Sequence, residues 1–436
     1  METSSKIRNL YEVSDGRHRL TAMEGLRGFA VLLVFFVHAH ALFGNYAASQ
    51  PILGWNSHFL GDIGNTGVDL FFVLSGYLIY GALIRKKVSY LNFLRRRVER
   101  IYPTFLAVFC VYLILSVAFE SESKIHGSFL SAGIYILENA FLLPGIFPIK
   151  PIITVAWSLS YEFFFYLLIP IVVWLAGMRG WKSATRAVFF VMLWLAYIIY
   201  AFTVPRSQVR LLMFVAGILL YEALDSGWLE SKLTRLGEIF AIMLFLLSLA
   251  FVYVYDARPE WLSVLPALTA GRTILPGVPA FQGPYKVIAL SFSCPILTVF
   301  SFQYDGILKR IFSWNPLRYL GNMSYSYYLI HGLALHGVAV IIFRILPIGR
   351  HDVLAYFLGL LIGFVAAWIA STFLFAFVEK PMSLRRHLTS VPRTQREAPA
   401  PMVSFSSEQA LDPVNFESSG PKEPGLDVDE EKRKCD

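Results

Sequence analysis

Apolar and polar positions along this chain alternate on the length scale of a bilayer. Runs of about 18 or more mostly apolar residues, long enough to cross hydrocarbon as helices, recur near 24–43, 66–84, 101–119, 154–176, 186–204, 209–226, 236–255, 286–303, 322–345 and 353–378. They predict an all-α polytopic membrane protein whose ten transmembrane helices form a single bundle. One further apolar stretch, 129–147, carries Glu138, Asn139 and Pro144. A charge, an amide and a proline argue against a crossing, so the stretch is expected to be interfacial or re-entrant. Two intervals read as non-membrane: a Pro- and Gly-rich outer loop over about 256–285 and a Pro/Ser/Glu-rich tail. The expected organisation is a cytoplasmic N-terminal segment 1–23, a transmembrane domain 24–382 and a disordered cytoplasmic tail 383–436.

Basic residues give the runs an orientation. Lys6, Arg8, Arg17 and Arg19 precede the first run and no small-residue cleavage site follows it, which predicts a retained span. Arg85, Lys86, Lys87, Arg95, Arg96, Arg97 and Arg100 lie between the second and third runs, whereas the first outer loop, 44–65, holds no Lys or Arg. Arg179, Lys182 and Arg186, then Lys309, Arg310, Arg318 and the basic residues after Lys380, fall on the same side in the count. The positive-inside tendency therefore places both termini in the cytoplasm.

Composition agrees, with 56% hydrophobic and 16% charged residues against about a quarter charged in soluble domains. The net charge of +8 could suggest nucleic acid, but the basic residues punctuate apolar runs instead of forming one face. No nucleic-acid partner is expected; the partner surface is the lipid bilayer. Cys110, Cys294 and Cys435 show no CxxC spacing, which supports neither disulfides nor a thiolate metal site. No internal repeat of the transporter kind is visible.

Ionisable groups inside apolar runs are costly and need a partner, a wet cavity or a function. Arg27 and His38 are eleven residues apart on the first run, about 1,100° of helical rotation, and so share a face. The rise between them is about 16 Å, placing Arg27 at the cytoplasmic rim and His38 near mid-membrane. Held away from water, an imidazole stays neutral and can accept a proton, which suits a general base. The competing reading has Arg27 snorkelling to headgroups and His38 as a packing residue. Asp69, at the outer start of the second run, could orient the histidine or cap a helix. Ser75, beside Gly76, fits helix packing. Glu162, within Trp157-Ser158-Leu159-Ser160-Tyr161-Glu162, should face the bundle interior. His331 closes a hydroxyl-rich run containing Tyr325, Tyr327 and Tyr328, which suits a polar pocket or a hydrogen-bonded helix seam. Arg97 and Arg100 belong to a basic cluster suited either to phosphates or to anionic lipid.

Taken together and in order, these runs resemble the acyltransferase-3 family of integral membrane O-acyltransferases over about residues 19–386. Arg27 and His38 match its Arg-x10-His signature, residues 67–76 its Gly-Val-Asp-x-Phe-Phe-x-x-Ser-Gly block, and Arg97 with Arg100 its Arg-x-x-Arg. The Trp-Ser-Leu-x-x-Glu block at 157–162, the Ser-Tyr-x-x-Tyr-Leu-x-His block at 324–331 and Glu379-Lys380-Pro381 complete the pattern. Some members carry an appended extracytoplasmic hydrolase-like domain; none is recognisable here, and the chain is expected to act alone.

The resemblance implies an acyl-coenzyme A donor, often acetyl-coenzyme A, and no tightly bound cofactor or metal. It implies a hydroxyl acceptor on a cell-surface glycan, a glycolipid or a small secondary metabolite, and a bacterial inner-membrane location. In the expected reaction Arg97 and Arg100 bind the donor phosphates and Arg27 seats its pantetheine end. His38 acts as base, Asp69 and Glu162 join the catalytic set, and Ser75, Tyr325, Tyr328 and His331 line the pocket. Direct attack and an acyl-enzyme relay both remain open. A proton-coupled transporter or flippase using His38, Asp69, Glu162 and His331, and a scaffold whose polar groups serve packing only, are the non-enzymatic alternatives.

Overall fold

The computed structural model of the chain describes residues 10–12, 21–203, 208–229, 233–257 and 284–384. The outer loop 256–285 and the tail 383–436 lie almost wholly, and the segment 1–23 mostly, outside these described residues. In chain order the helices are α1 Thr21–Ala47, α2 Pro51–Gly64, α3 Thr66–Arg85, α4 Tyr90–Ala118, α5 Phe129–Ala140, α6 Ala156–Leu175 and α7 Ser183–Thr203. They continue as α8 Leu212–Asp225, α9 Arg235–Ala257, α10 Pro284–Gln303, α11 Ile307–Phe312, α12 Asn315–Asn322, α13 Ser324–Ile345 and α14 Asp352–Leu374. A π-helical extension, Phe375–Leu384, follows directly. Among the described residues there is no β-strand, only an isolated bridge between Pro144 and Phe147. The all-α polytopic architecture is thus the one the apolar runs predict.

Nine segments among the described residues are long and apolar enough to cross a membrane, α2 and α3 counting as one of 35 residues. The predicted span missing from that set is 209–226. It forms a short 3-10 turn followed by α8, which has 14 residues, about 21 Å of helix against about 30 Å of hydrocarbon. Its contacts nevertheless run the length of α3. Arg210 meets Asp69, Gly217 meets the Val73 carbonyl, Phe214 meets Gly76, Glu222 meets Tyr80 and Tyr221 meets Arg85. The short helix therefore runs parallel to α3 over the same depth. A Cβ at Gly76 or Gly217 would overlap the partner backbone, so both glycines are required by the close helix approach.

The stretch 129–147 contains only the 12-residue α5, about 18 Å long, and a turn in which Leu142 adopts a φ of 57°. Asn139 fastens this turn, accepting from Ile152 N at 2.7 Å through Oδ1. Phe129, Leu130, Ile134 and Leu137 point outward from the fold. A helix too short to span, with an apolar outer face, fits the interfacial expectation.

Contacts gather one set of helix ends on a common face. Arg179 donates to Leu83 O at 2.8 Å, Arg186 pairs with Glu222 and Asp225, and Leu308 N donates to Glu238 at 2.7 Å. Arg318 pairs with Glu24 at the start of α1, and Lys380 donates to Leu10 O at 2.8 Å. The basic loops that the charge pattern grouped together are thus adjacent in space. α1 is the central helix, with Leu26, Ala30, Val31, Val34, Phe35, Ala39 and Phe43 buried. The outward faces of α7 and α14 instead show Val188, Met192, Ile199, Leu361 and Ile369, an apolar surface suited to lipid.

Candidate active site

A cavity of about 270 Å³ opens among α1, α3, α4, α6 and α13. Its wall includes Arg27, Phe71, Ser75, Arg97, Arg100, Ser158, Glu162, Tyr166, Tyr325 and Tyr328. Every motif of the sequence thus contributes a side chain except Glu379-Lys380-Pro381, although Asp69, His38 and His331 are not themselves in the wall. Local packing explains how these side chains meet. Gly25 and Gly28 let α11 and α12 lie directly on α1, against the carbonyls of Phe312 and Leu317, bracketing Arg27. Arg97 and Arg100, three residues apart, project from one face of α4.

The cationic end of the cavity carries three guanidinium groups in three different states. Arg27 has no hydrogen-bond or ion-pair partner among the described residues. Arg97 lies over the rings of Phe93 and Tyr166, at 5.2 and 5.6 Å from their centroids, and its Nε is buried without an acceptor. Arg100 Nη2 sits 3.3 Å from Glu379 Oε1, while its Nη1 is buried without an acceptor. Glu379 is itself anchored, accepting from Ser326 N at 3.1 Å and Ser326 Oγ at 2.6 Å. Unfilled donors on converging guanidinium groups are the chemistry that binds phosphate oxygens.

Close to them stands Glu162, whose Oε1 accepts from Ser75 Oγ at 2.8 Å and from the hydroxyl of Tyr166, the ring under Arg97. Ser75 therefore holds a carboxylate in addition to sitting in the packed glycine seam. Tyr325 donates to Ile101 O at 2.8 Å, tying α13 to α4. The Tyr328 hydroxyl lies 2.6 Å from Ser158 Oγ and 3.2 Å from Val155 O.

Behind Tyr328 lie the two histidines. His38 is not in the cavity wall. His331 is buried, with its ring centroid 6.1 Å from that of Tyr328. Its Nε2 is 3.2 Å from His38 Nδ1, and the two rings meet edge to face with centroids 4.8 Å apart. His331 Nδ1 faces the carbonyls of Tyr327 and Tyr328 at 3.0 and 2.8 Å.

Asp69 has a different environment from the one expected. It lies inside the first turn of α3, not at the cap position, which Asn65 occupies. Its Oδ1 accepts from Arg210 Nη1 at 2.8 Å, and Lys286 of α10 shares the same small pocket. The group that meets His38 is His331 instead. The sequence signals single out neither Arg210 nor Glu222, although both are ionisable residues inside a predicted span, and mark Arg186 only as a basic residue of the cytoplasmic face. Glu379 was legible only as part of its Glu-Lys-Pro motif.

The model of the acyltransferase domain family matches residues 20–372. Among curated proteins, the chain is 26% identical to the O-acetyltransferase OatA of Staphylococcus aureus, over 83% of this chain and 57% of that protein. It is 25% identical to the putative peptidoglycan O-acetyltransferase YrhL of Bacillus subtilis, over 86% and 56%. It is 24% identical to the peptidoglycan O-acetyltransferase OatA of Listeria monocytogenes, over 84% and 56%. The chain thus spans little more than half the length of these relatives. No solved structure matches it. The family match covers nearly all of the helical region in which the arginine-lined cavity and the histidine pair lie, and the chain belongs to the acyltransferase family as a multi-pass membrane protein.

Proposed function

We propose that the protein transfers an acetyl group from acetyl-coenzyme A to a hydroxyl of a cell-surface glycan in a bacterial membrane. The observation that carries this reading is the convergence of Arg27, Arg97 and Arg100 on one cavity whose far wall, Tyr328, touches the site of a histidine pair. The basic face is cytoplasmic by the positive-inside tendency, so the donor enters there with its phosphates at Arg97 and Arg100 and its pantetheine arm beside Arg27. The thioester reaches past Tyr328 to His38.

His38 takes the proton of the acceptor hydroxyl as its oxygen attacks the thioester carbonyl carbon. A C–O bond forms, the carbonyl oxygen becomes an oxyanion, and collapse breaks the C–S bond. The thiolate of coenzyme A leaves and recovers the proton. Arg27, about 16 Å along the helix from His38, stays with the pantetheine arm, to whose carbonyls its unengaged N–H groups donate, and the Tyr325 hydroxyl is engaged by Ile101 O. Glu162, held by Ser75 and Tyr166, and Glu379, paired with Arg100, partly offset the three cations. The glycan acceptor is supported by the similarity to the putative peptidoglycan O-acetyltransferase of Bacillus subtilis and the peptidoglycan O-acetyltransferase of Listeria monocytogenes.

The test is radiolabel transfer in proteoliposomes from [14C]acetyl-coenzyme A to soluble peptidoglycan fragments. His38→Ala should insert normally and lose about 10²–10⁴-fold in rate. Transfer at the wild-type rate in that variant would contradict the assignment, and movement of the glycan across the bilayer without labelling would favour a transporter.

A further inference from the structure

We infer that His331 is the positioning residue for His38: a neutral imidazole that accepts the His38 Nδ1–H and so leaves His38 Nε2 as the basic lone pair. The inference rests on the reading of His38 as the general base and specifies which atom of that residue does the work.

Hydrogen-bond direction fixes both tautomers. His331 Nδ1 points at two backbone carbonyls, Tyr327 O at 3.0 Å and Tyr328 O at 2.8 Å. Carbonyl oxygens only accept, so this nitrogen carries hydrogen. A neutral imidazole has one N–H, and His331 Nε2 is therefore a lone pair. It faces His38 Nδ1 at 3.2 Å. His38 Nδ1 also faces Val34 O, an acceptor in its own helix, at 2.9 Å. Two acceptors converge on that nitrogen, so it holds the hydrogen, and the lone pair of His38 is on Nε2. No side chain or carbonyl among the described residues engages that Nε2.

A base oriented by a third group is the logic of a catalytic triad, in which a carboxylate normally fills the third position. Among the described residues no carboxylate is hydrogen-bonded to or ion-paired with either ring; the one the sequence suggested, Asp69, is held by Arg210. A neutral partner suits this depth, because a buried carboxylate beside a transient imidazolium would carry the desolvation cost of an ion throughout the resting state. The position of His331 is itself set by geometry, since both carbonyls that hold it come from the preceding turn of α13. The ring is rigid before substrate arrives, as a pre-organised base requires.

The Gln side chain reaches as far as the imidazole Nε2 and ends in a carbonyl oxygen that accepts but does not titrate; Leu has a similar volume and no acceptor. His331→Leu should lower kcat about 10- to 100-fold, less than loss of the base itself because Val34 O still favours the same tautomer, with KM for acetyl-coenzyme A unchanged. His331→Gln should restore kcat to within about fivefold of wild type. Equal impairment of the Leu and Gln variants would assign His331 to packing and overturn the inference, as would a Leu variant with wild-type kcat. Should the Leu variant not insert, solid-state 15N spectra of histidine-labelled wild-type protein in liposomes decide the question. The resonances missing from His38→Gln identify His38, and protonated Nδ1 with bare Nε2 is the expected pattern; protonated Nε2 overturns the inference. A His38→Ala enzyme that still transfers acetyl would overturn the functional reading instead, so the two failures are distinct.

Discussion

Replacing Arg100 with alanine separates donor binding from structural support. Its Nη2 lies 3.3 Å from Glu379 Oε1, the Glu379 side chain being fully buried and that of Arg100 23% exposed. Removing one member of a fully buried pair costs about 3–5 kcal/mol. Here the orphaned carboxylate keeps two donors from Ser326 and Arg100 borders the cavity, so a loss of about 2 kcal/mol is expected for Arg100→Ala. Glu379→Gln keeps a carbonyl for Ser326 and should cost about 1 kcal/mol. With the pair coupled by about 1 kcal/mol, the double variant should be no less stable than Arg100→Ala by more than a few tenths. Kinetics should separate the roles. Arg100→Ala loses a charge-assisted contact to phosphate of about 1.5–3 kcal/mol, raising KM for acetyl-coenzyme A about 10- to 100-fold. Glu379→Gln should leave KM near the wild-type value, since Glu379 is not in the cavity wall, and the double variant should match Arg100→Ala. Melting in detergent and initial rates against donor concentration measure both quantities. If Glu379→Gln raises KM as much as Arg100→Ala, or if the double variant recovers it, Arg100 acts through Glu379 and does not meet the donor.

Two further outcomes follow from the same geometry. Arg97→Lys keeps a positive charge but loses the planar group stacked on Phe93 and Tyr166, so KM for the donor should rise about five- to tenfold with little change in kcat; an unchanged KM would remove Arg97 from the donor site. Asp69→Asn unbalances Arg210 and should destabilise the fold by about 3–5 kcal/mol, with activity falling only in proportion to folded protein, and Asp69→Asn/Arg210→Met should recover part of the stability; a drop in kcat at full folding would return Asp69 to the catalytic set.

How much of this was legible depends on the kind of signal. Long apolar runs specify spanning helices because the bilayer leaves few alternatives, and they located nearly every helix that crosses. The run 209–226 has the pattern of an ordinary span, but its helix has only 14 residues, with Arg210 pinned to Asp69 just before it and Glu222 to Arg186 in its last turn. Periodicity on one helix placed Arg27 and His38 on a common face, yet it could not reveal the partner from another helix. Arg27 borders the cavity whereas His38 lies behind Tyr328, paired with a residue 293 positions away. The partner of Asp69 was hidden for the same reason, since a buried carboxylate reports that it needs a partner without saying which cation supplies it. The rule applied to Glu162 flags Arg210 and Glu222 as well.

The most direct test of the account is a cryo-EM structure of the protein in nanodiscs with a non-hydrolysable thioether analogue of acetyl-coenzyme A. The account predicts the phosphates against Arg97 and Arg100, the pantetheine arm along Arg27 and the acetyl carbonyl beyond a displaced Tyr328, within reach of His38 Nε2. Density for the analogue on the opposite face of the bundle, or in this cavity with its acetyl end turned away from His38, would contradict it.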